Sequence, residues 1–228
     1  MARRKADALI EAGRVMVNGR RALLGQVVDA TMDHILIDGQ ALPACPRTLL
    51  YAYHKPRGVI TTLSDPAGRA TIATAVGIPE RLFPVGRLDK ESEGLLLLTN
   101  DGQLALELTH PRFAHQKRYR VWAEGSRTHS PQAFTEILQT PRRLDGRVRR
   151  FDDVLSQGRE AGQLVFEVSV HEGLKHLVRR LFDRAGLTVV RLQRITHGPV
   201  ELGDLAPGAW RELSVSSVRA LLQNPRKS

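Results

Sequence analysis

The chain has 228 residues, of which 42% are hydrophobic and 25% charged, and this composition is ordinary for a globular protein with a buried core. No apolar run approaches the roughly 18 residues that a membrane span needs, and none resembles a secretory signal, so we expect a cytoplasmic protein. The single cysteine, Cys45, excludes an internal disulfide and a zinc site of several thiolates, and the histidines show no ligand spacing, so no metal is expected.

The strongest signal in the composition is a net charge of +10. Such a surplus attracts polyanions, and nucleic acid is the commonest polyanion in a cytoplasm. The alternative explanation is an organism whose proteins are basic in general. The charge therefore favours a nucleic-acid-binding protein.

A small basic block, residues 1–42, opens the chain. Helical spacing of apolar residues, a glycine stop and two turn signals predict one helix followed by short strands: Ala6, Leu9, Ile10 and Gly13 for the helix, Val15–Val17 with Asn18-Gly19 and Ile35–Ile37 with Asp38-Gly39 for the strands. About 40 residues bury only a marginal core. Residues 43–48 contain two prolines and are predicted to be a linker.

The remaining residues, 49–224, predict one larger domain. Its strands are predicted at Leu49–Tyr53, Val59–Thr62, Leu95–Leu98, Tyr119–Trp122, Leu164–Val170 and Leu187–Thr196, and its helices at Thr71–Val76, Gln103–Leu108, Pro131–Leu138 and from Ser214 or Ser216 to Leu222. The clearest helix carries one apolar stripe formed by Leu174, Leu177, Val178, Leu181, Phe182 and Ala185, and Gly186 ends it. The arginine-rich segment Pro141–Arg150 is predicted to be a loop or an edge. Because strands and helices do not alternate regularly, we expect an α+β fold with a mixed, mainly antiparallel sheet.

A charged loop between Gly86 and Gly94 runs directly into the apolar residues Leu95–Leu98. Such a loop holds polar side chains over a rigid strand, as active sites often require. Within it Asp89 lies between two cations, Arg87 and Lys90, which favour the ionised carboxylate. Asp89 is therefore a candidate nucleophile. A solvated surface loop with local ion pairs is the simpler alternative.

Five motifs in chain order resemble those of the RsuA/RluB family of ribosomal RNA pseudouridine synthases. They are Lys55-Pro56-Arg57-Gly58-Val59, Gly86-Arg87-Leu88-Asp89 with Ser92–Gly102, His110-Pro111-Arg112 with Lys117–Val121, Glu172-Gly173 with Val178–Leu181, and Arg191–Ile195 with Gly198-Pro199. The resemblance covers roughly residues 49–214. It implies a pseudouridine synthase fold for residues 49–224.

The first block, through Arg3–Ala6 and Gly13–Gly19, resembles the second half of an S4-type RNA-binding motif. In that motif a further helix normally comes first. The resemblance therefore implies a partial S4-type domain over residues 1–42, with the chain beginning inside the motif.

The resemblance also implies the roles of individual residues. Asp89 would attack the ribose or draw a proton from it, Tyr119 would pack on the uracil and help to remove a proton from the new bonding carbon, and Arg179 would pair with Asp89. Leu192 and Arg87 would line the substrate pocket, although a bare leucine is at least as often a core residue. The implied reaction is an isomerisation, which demands no cofactor.

The implied partner is ribosomal RNA or a ribosomal assembly intermediate, bound by a protein that we expect to be monomeric. Candidate RNA-binding residues are the basic side chains Arg4, Arg14, Arg57, Lys90, Lys117, Arg118 and Arg180. The approach to Asp89 through Arg81–Gly86 favours the large subunit. One departure from the family is Lys175-His176-Leu177, where polar Asn, Arg and Gln are common.

Two other functions remain open from the sequence. A non-catalytic ribosome-associated RNA-binding factor would explain the charge and the first block equally well, but it would not need Asp89, Tyr119 and Arg179. A two-carboxylate hydrolase using Asp89 with Glu91 or Glu93 would need one carboxyl with a raised pKa, and the neighbouring cations act in the opposite direction.

Overall fold

The structure is a computed structural model that describes residues 3–29, 32–43, 46–126 and 129–223. Contacts between Cα atoms divide the chain into two compact units, Met1–Arg47 and Thr48–Ser228. Part of the predicted linker, including Cys45, lies outside the described residues. Among the described residues, no helix is both long enough and apolar enough to cross a membrane.

The first unit contains the predicted helix and short strands. Its elements are α1 (Arg3–Glu11), β1 (Val15–Val17), β2 (Arg20–Arg21), β3 (Ile35–Ile37) and β4 (Gln40–Ala41). The strands form an antiparallel sheet in the order β2-β1-β3-β4. Asn18 and Gly19 both have positive φ, as a tight hairpin requires. Val15, Val17 and Ala22 form a small core, against which Leu9 and Ile10 of α1 pack.

The second unit is built on one large sheet with helices on its faces. Its strands are β5 (Leu50–Lys55), β6 (Phe83–Val85), β7 (Glu93–Thr99), β8 (Lys117–Glu124), β9 (Arg142–Leu144), β10 (Arg147–Arg149), β11 (Asp153–Glu160), β12 (Gln163–Val170), β13 (Thr188–His197), β14 (Val200–Glu201) and β15 (Trp210–Glu212). Its helices are α2 (Ile72–Ala75), α3 (Gly102–Thr109), α4 (Pro131–Gln139), α5 (Leu177–Arg184) and α6 (Val215–Gln223), with a 3₁₀ turn at Pro111–Phe113.

The sheet runs in the order β11-β12-β8-β13-β7-β5-β15, with β14 beside β13 and β6 beside β7. Its strands pair antiparallel except β13 and β7, which are parallel. The predicted α+β fold with a mixed, mainly antiparallel sheet is therefore confirmed. The parallel pair matters most for function, because it brings the loop before β7 next to β13.

The apolar run in β7 is explained by burial on both faces of the sheet. Leu95 and Leu97 pack with α3 and α6 on one face, and Leu96 and Leu98 pack with Tyr51 and Tyr53 on the other. Successive side chains of a strand point to opposite faces, so a strand that is covered on both sides reads as continuous apolar sequence. A third cluster, around Phe166 and Phe182, fills the space between β8, β12, β13 and helices α4 and α5.

Three local predictions differ from the structure. The strand expected at Val59–Thr62 is wrong, because this segment forms only a single bridge between Ile60 and Thr71. Helix α5 begins at Leu177, three residues later than its apolar stripe suggested, because His176 has a left-handed backbone (φ +56°) that a continuing helix cannot adopt. Leu174 is consequently exposed. The segment Pro141–Arg150 is a hairpin of β9 and β10, turned by Asp145 and Gly146 at positive φ.

Candidate active site

A cleft of about 760 Å³ opens on the second unit. Its walls come from the loop before β7, from β8 and β13, and from the segment that leads into α5. Of the residues predicted to form the site, it is lined by Arg87, Asp89, Lys117, Tyr119 and Leu192. Side chains from four separate parts of the chain thus meet around one cavity.

The backbone around Asp89 is fixed by hydrogen bonds on both sides. The Thr61 hydroxyl donates to the Leu88 carbonyl at 2.6 Å and accepts from the Leu88 N–H at 3.2 Å. The Gly58 N–H donates to the Lys90 carbonyl at 2.8 Å, and the Ser92 N–H donates to the Asp89 carbonyl at 3.1 Å. Because Leu88 is also buried, the loop presents Asp89 from a rigid base, as pre-organised catalysis requires.

The other end of this loop is held by the close approach of β7 and β13. Gly94 pairs with Arg194 across the parallel strands and has a φ of +101°. A Cβ atom at this position would lie 2.3 Å from the Arg194 carbonyl oxygen. Only glycine fits there, and the resulting close contact fixes how far the Asp89 loop lies from β13.

The side chain of His176 contacts Asp89, with its Nε2 atom 3.3 Å from Asp89 Oδ1. Among the described residues Arg179 forms no ion pair with Asp89; its guanidinium donates to the carbonyls of Glu91 at 3.1 Å and Val189 at 3.2 Å. Burial lowers the pKa of Arg179, and the negative charge of Asp89 opposes that shift. The expected direct ion pair between Arg179 and Asp89 is thus not formed in this structure. Arg179 instead interacts with Asp89 at longer range and donates to the backbone of the loop that carries it.

Lys55, the first residue of the earliest motif, ends β5 and is fully buried. Its ammonium donates to the carbonyls of Pro56 and Val59, both at 2.8 Å. Burial lowers the pKa of Lys55 to about 8, against the opposing charges of Asp89, Glu91 and Glu93. Lys55 therefore supplies a buried positive charge near the acidic loop, and the Lys-Pro-x-Gly motif was the only sequence signal for it.

Tyr119 and Leu192 lie on the same face of the sheet. Tyr119 is half-buried and pairs with Arg194 across β8 and β13, while Leu192 pairs with Val121. Leu192 belongs to the core cluster around Phe182 as well as to the wall of the cleft. Packing alone would therefore keep a hydrophobic side chain at this position.

The predicted RNA-binding residues differ in how free their charges are. Two are held by bidentate contacts: Arg14 with Asp38 and Arg180 with Asp145. Arg57 lies 3.7 Å from Glu91. Arg118 and Lys117 are half-buried, and the remaining two, Arg4 and Lys90, are exposed. Among the described residues, no group of three or more His, Cys, Asp or Glu side chains is placed to bind a metal ion.

This fold and this cleft define a class of RNA-modifying enzyme. Residues 50–184 match the sequence profile of the family described as RNA pseudouridylate synthase, and the chain belongs to that family. The expected resemblance is confirmed by similar proteins. A protein of Aquifex aeolicus, described as an uncharacterized RNA pseudouridine synthase, is 40% identical over 97% of this chain and 88% of its own length.

The ribosomal large subunit pseudouridine synthase B of Vibrio cholerae is 36% identical over 96% of this chain and 70% of its own length. The protein of the same name from Bacillus subtilis is 33% identical over 96% of this chain and 89% of its own length. A crystal structure described as a pseudouridylate synthase matches 97% of this chain and 94% of its own, with a TM-score of 0.64 and 26% identity.

The His176 contact leads to a prediction of moderate size. His176→Ala should lower the single-turnover rate of pseudouridine formation by about two- to fivefold, because an exposed contact between a histidine and a carboxylate contributes at most about 1 kcal/mol. Lys175→Ala is the matched control, since Lys175 is exposed and lines the same cleft but does not contact Asp89. Both variants are measured with the enzyme saturating, so that RNA affinity does not enter. Equal losses in the two would show that the contact with Asp89 contributes nothing.

Proposed function

We propose that this chain converts a uridine of ribosomal RNA to pseudouridine, with Asp89 as the nucleophile. The observation that carries the proposal is the position of Asp89. It stands on a loop fixed from both sides, in a cleft that is also lined by Tyr119 and by the cations Arg87 and Lys117. A purely RNA-binding protein would have no need of a carboxylate held in a basic cleft, since a carboxylate repels phosphate.

In the proposed reaction Asp89 attacks the ribose, or draws a proton from it, and the bond between the sugar and the uracil nitrogen breaks. The uracil turns over within the cleft and rejoins the sugar through carbon 5, which releases the sugar from Asp89 or takes back the proton that Asp89 held. Carbon 5 then loses its own proton, and the nitrogen that left the sugar gains one. Tyr119 packs against the uracil and helps to remove that proton. Arg179 holds the loop that carries Asp89 through the Glu91 carbonyl, and His176 contacts the Asp89 carboxylate, so both residues orient it.

A uridine inside folded RNA must leave its stack before Asp89 can reach it, at a cost of a few kcal/mol. Contacts between basic side chains and the flanking phosphates offset this cost. Candidates for these contacts are Arg87, which lines the cleft, Arg57 and Lys90 near the same loop, and Arg118 on β8. The first unit adds RNA affinity as an S4-type domain, and the protein acts as a monomer in the cytoplasm, where ribosomes are assembled.

The two relatives named ribosomal large subunit pseudouridine synthase B favour large-subunit RNA as the substrate. The test uses large- and small-subunit ribosomal RNAs of the source organism, transcribed in vitro and therefore free of modification. Incubation with the protein, followed by mapping of pseudouridine, should reveal modified uridine in the large-subunit RNA. Modification of the small-subunit RNA alone would contradict the choice of subunit, and no modification of either RNA would contradict the proposed substrate.

A further inference from the structure

Arg194 is a buried charge without a counter-ion. Its side chain is 2% exposed, and its Nε donates to the Leu95 carbonyl at 2.7 Å. Nη2 is fully buried and has no hydrogen-bond partner, and none of the ion pairs in the described part of the chain involves Arg194. Arg194 nevertheless lines the cleft. Because a buried guanidinium without a counter-ion is unfavourable, an anion bound in the cleft would compensate its charge.

A second cation, Lys117, lines the same cleft. Its ammonium donates to the carbonyls of His115 at 3.2 Å and His171 at 3.4 Å. Because an ammonium has three N–H groups, one of them is left for a ligand. Burial lowers the pKa of Lys117, and the positive charge of Arg194 lowers it further, while Asp152 raises it. Two cations that repel each other thus lie at one part of the cleft.

The strand register places these cations beside the ring of Tyr119. Tyr119 pairs with Arg194, and Lys117 pairs with His197. Lys117 and Tyr119 are two residues apart, so they share a face of β8 at a spacing of about 7 Å. His197 is fully buried and its Nε2 donates to the Leu108 carbonyl at 3.0 Å. Burial lowers the pKa of His197 well below its usual range, which leaves it neutral. The positive charge here therefore comes from Lys117 and Arg194.

We infer that Lys117 and Arg194 form a phosphate-binding subsite, which holds a phosphodiester group of the RNA strand next to the uridine that lies on Tyr119. The inference rests on the proposed function in one respect, namely that RNA enters this cleft. A phosphate oxygen there would accept hydrogen bonds from Arg194 and from the free N–H of Lys117, and its negative charge would relieve their repulsion. The subsite would fix the position of the sugar relative to Asp89.

The direct test follows the Nε–H signal of Arg194 by NMR in the full chain, assigned with an Arg194→Lys variant. Inorganic phosphate and uridine 5′-monophosphate should shift this signal, whereas uridine at the same concentration should not. Lys117→Gln should weaken phosphate binding about tenfold, and Lys117→Arg, which keeps the charge, should restore most of it. Arg159→Gln is the control for net charge, because Arg159 is exposed on β11 and does not line the cleft.

A second measurement uses the RNA itself. For Lys117→Gln, the slope of log affinity against log salt concentration should become shallower by about one, which corresponds to the loss of one phosphate contact. Arg159→Gln should leave the slope unchanged. The inference is overturned if uridine alone shifts the Arg194 signal as strongly as the monophosphate, since the cations would then contact the base. It is equally overturned if phosphate binds the Lys117→Gln and Arg159→Gln variants alike, which would indicate an adventitious ion only.

The proposed function and the phosphate-binding subsite can be contradicted independently of each other. Asp89→Asn should keep the phosphate-dependent shift of Arg194 while losing turnover. Intact phosphate binding in a wild-type protein that modifies no RNA would contradict the proposed function alone. Normal turnover and an unchanged salt slope in Lys117→Gln would contradict the subsite alone.

Discussion

Asp89→Asn is expected to abolish pseudouridine formation, with a fall in the single-turnover rate of at least about a thousandfold. The amide has nearly the same size and can occupy the same position in the cleft, but it is neither a nucleophile nor a base. The loop backbone is held by Thr61 and Gly58, not by the Asp89 side chain, so the loop should keep its conformation. RNA affinity should be unchanged or slightly higher, since a negative charge is removed from a basic cleft.

The rate is measured by release of tritium from RNA labelled at carbon 5 of uridine, and the affinity by filter binding. Glu91→Gln is the matched control, because it makes the same change of charge two residues away. Glu91 is exposed, and its charge acts on Lys55 and Arg179 as that of Asp89 does. Its turnover should stay within a few fold of the wild type. Full turnover by Asp89→Asn would show that Asp89 is not the nucleophile. A similar loss of turnover in both variants would show that the negative charge of the loop matters, not Asp89 in particular.

The comparison of these two variants also tests the alternative that the protein is a two-carboxylate hydrolase. A hydrolase with two carboxylates would need a partner acid for Asp89, and Glu91 is one of the two candidates. Glu93, the other, is buried and forms an ion pair with Arg191 at 2.6 Å. Its carboxylate is thus already occupied, as expected for a residue that holds β7 and β13 together. Glu93 is therefore not available as the second carboxylate of such a reaction, and Glu91 is the candidate that the Glu91→Gln variant tests.

Much of the fold could be predicted because buried strands and helices have apolar residues at regular spacing in the sequence. The run Leu95–Leu98 indicated a buried strand, which the structure shows to be covered on both faces, and the stripe of α5 indicated a helix covered on one. Strands at the edge of a sheet lack such a regular apolar pattern. Strand β11 alternates few buried residues with many exposed ones and was missed. The segment Val59–Thr62 has strand-forming residues, but its backbone is used to hold Asp89 through Thr61, and this tertiary role overrides local preference.

The site could be located from the sequence only as far as its motifs reached. They placed Asp89, Tyr119 and Leu192 in one cleft, but the proximity of His176 to Asp89 depends on one left-handed residue before α5. No local pattern announces that conformation. The burial of Arg194 could not be predicted from the sequence either, since an arginine in a strand usually indicates an exposed face. Its position opposite Tyr119 follows from strand pairing between residues far apart in the chain.

Gly94→Ala is expected to cause the largest loss of stability of any single methyl addition in the loop region. The new Cβ would lie 2.3 Å from the Arg194 carbonyl oxygen and 2.6 Å from the Arg194 nitrogen, both of them backbone atoms that cannot rotate away. The φ of +101° would in addition be strained for any residue with a side chain. Strain and overpacking together should lower the free energy of unfolding by about 3 kcal/mol or more.

Relief of this clash requires β7 and β13 to move apart, which would shift the Asp89 loop. Gly94→Ala should therefore lose activity even in the fraction that remains folded. The stability is measured by urea denaturation and the rate by tritium release at a temperature below the transition. Gly102→Ala provides the control, because Gly102 begins α3, has no neighbour within 4 Å of an added Cβ and needs no positive φ. Alanine should be neutral or slightly stabilising there. If Gly94→Ala matched this control in stability and rate, the contact between β7 and β13 would not be what positions Asp89.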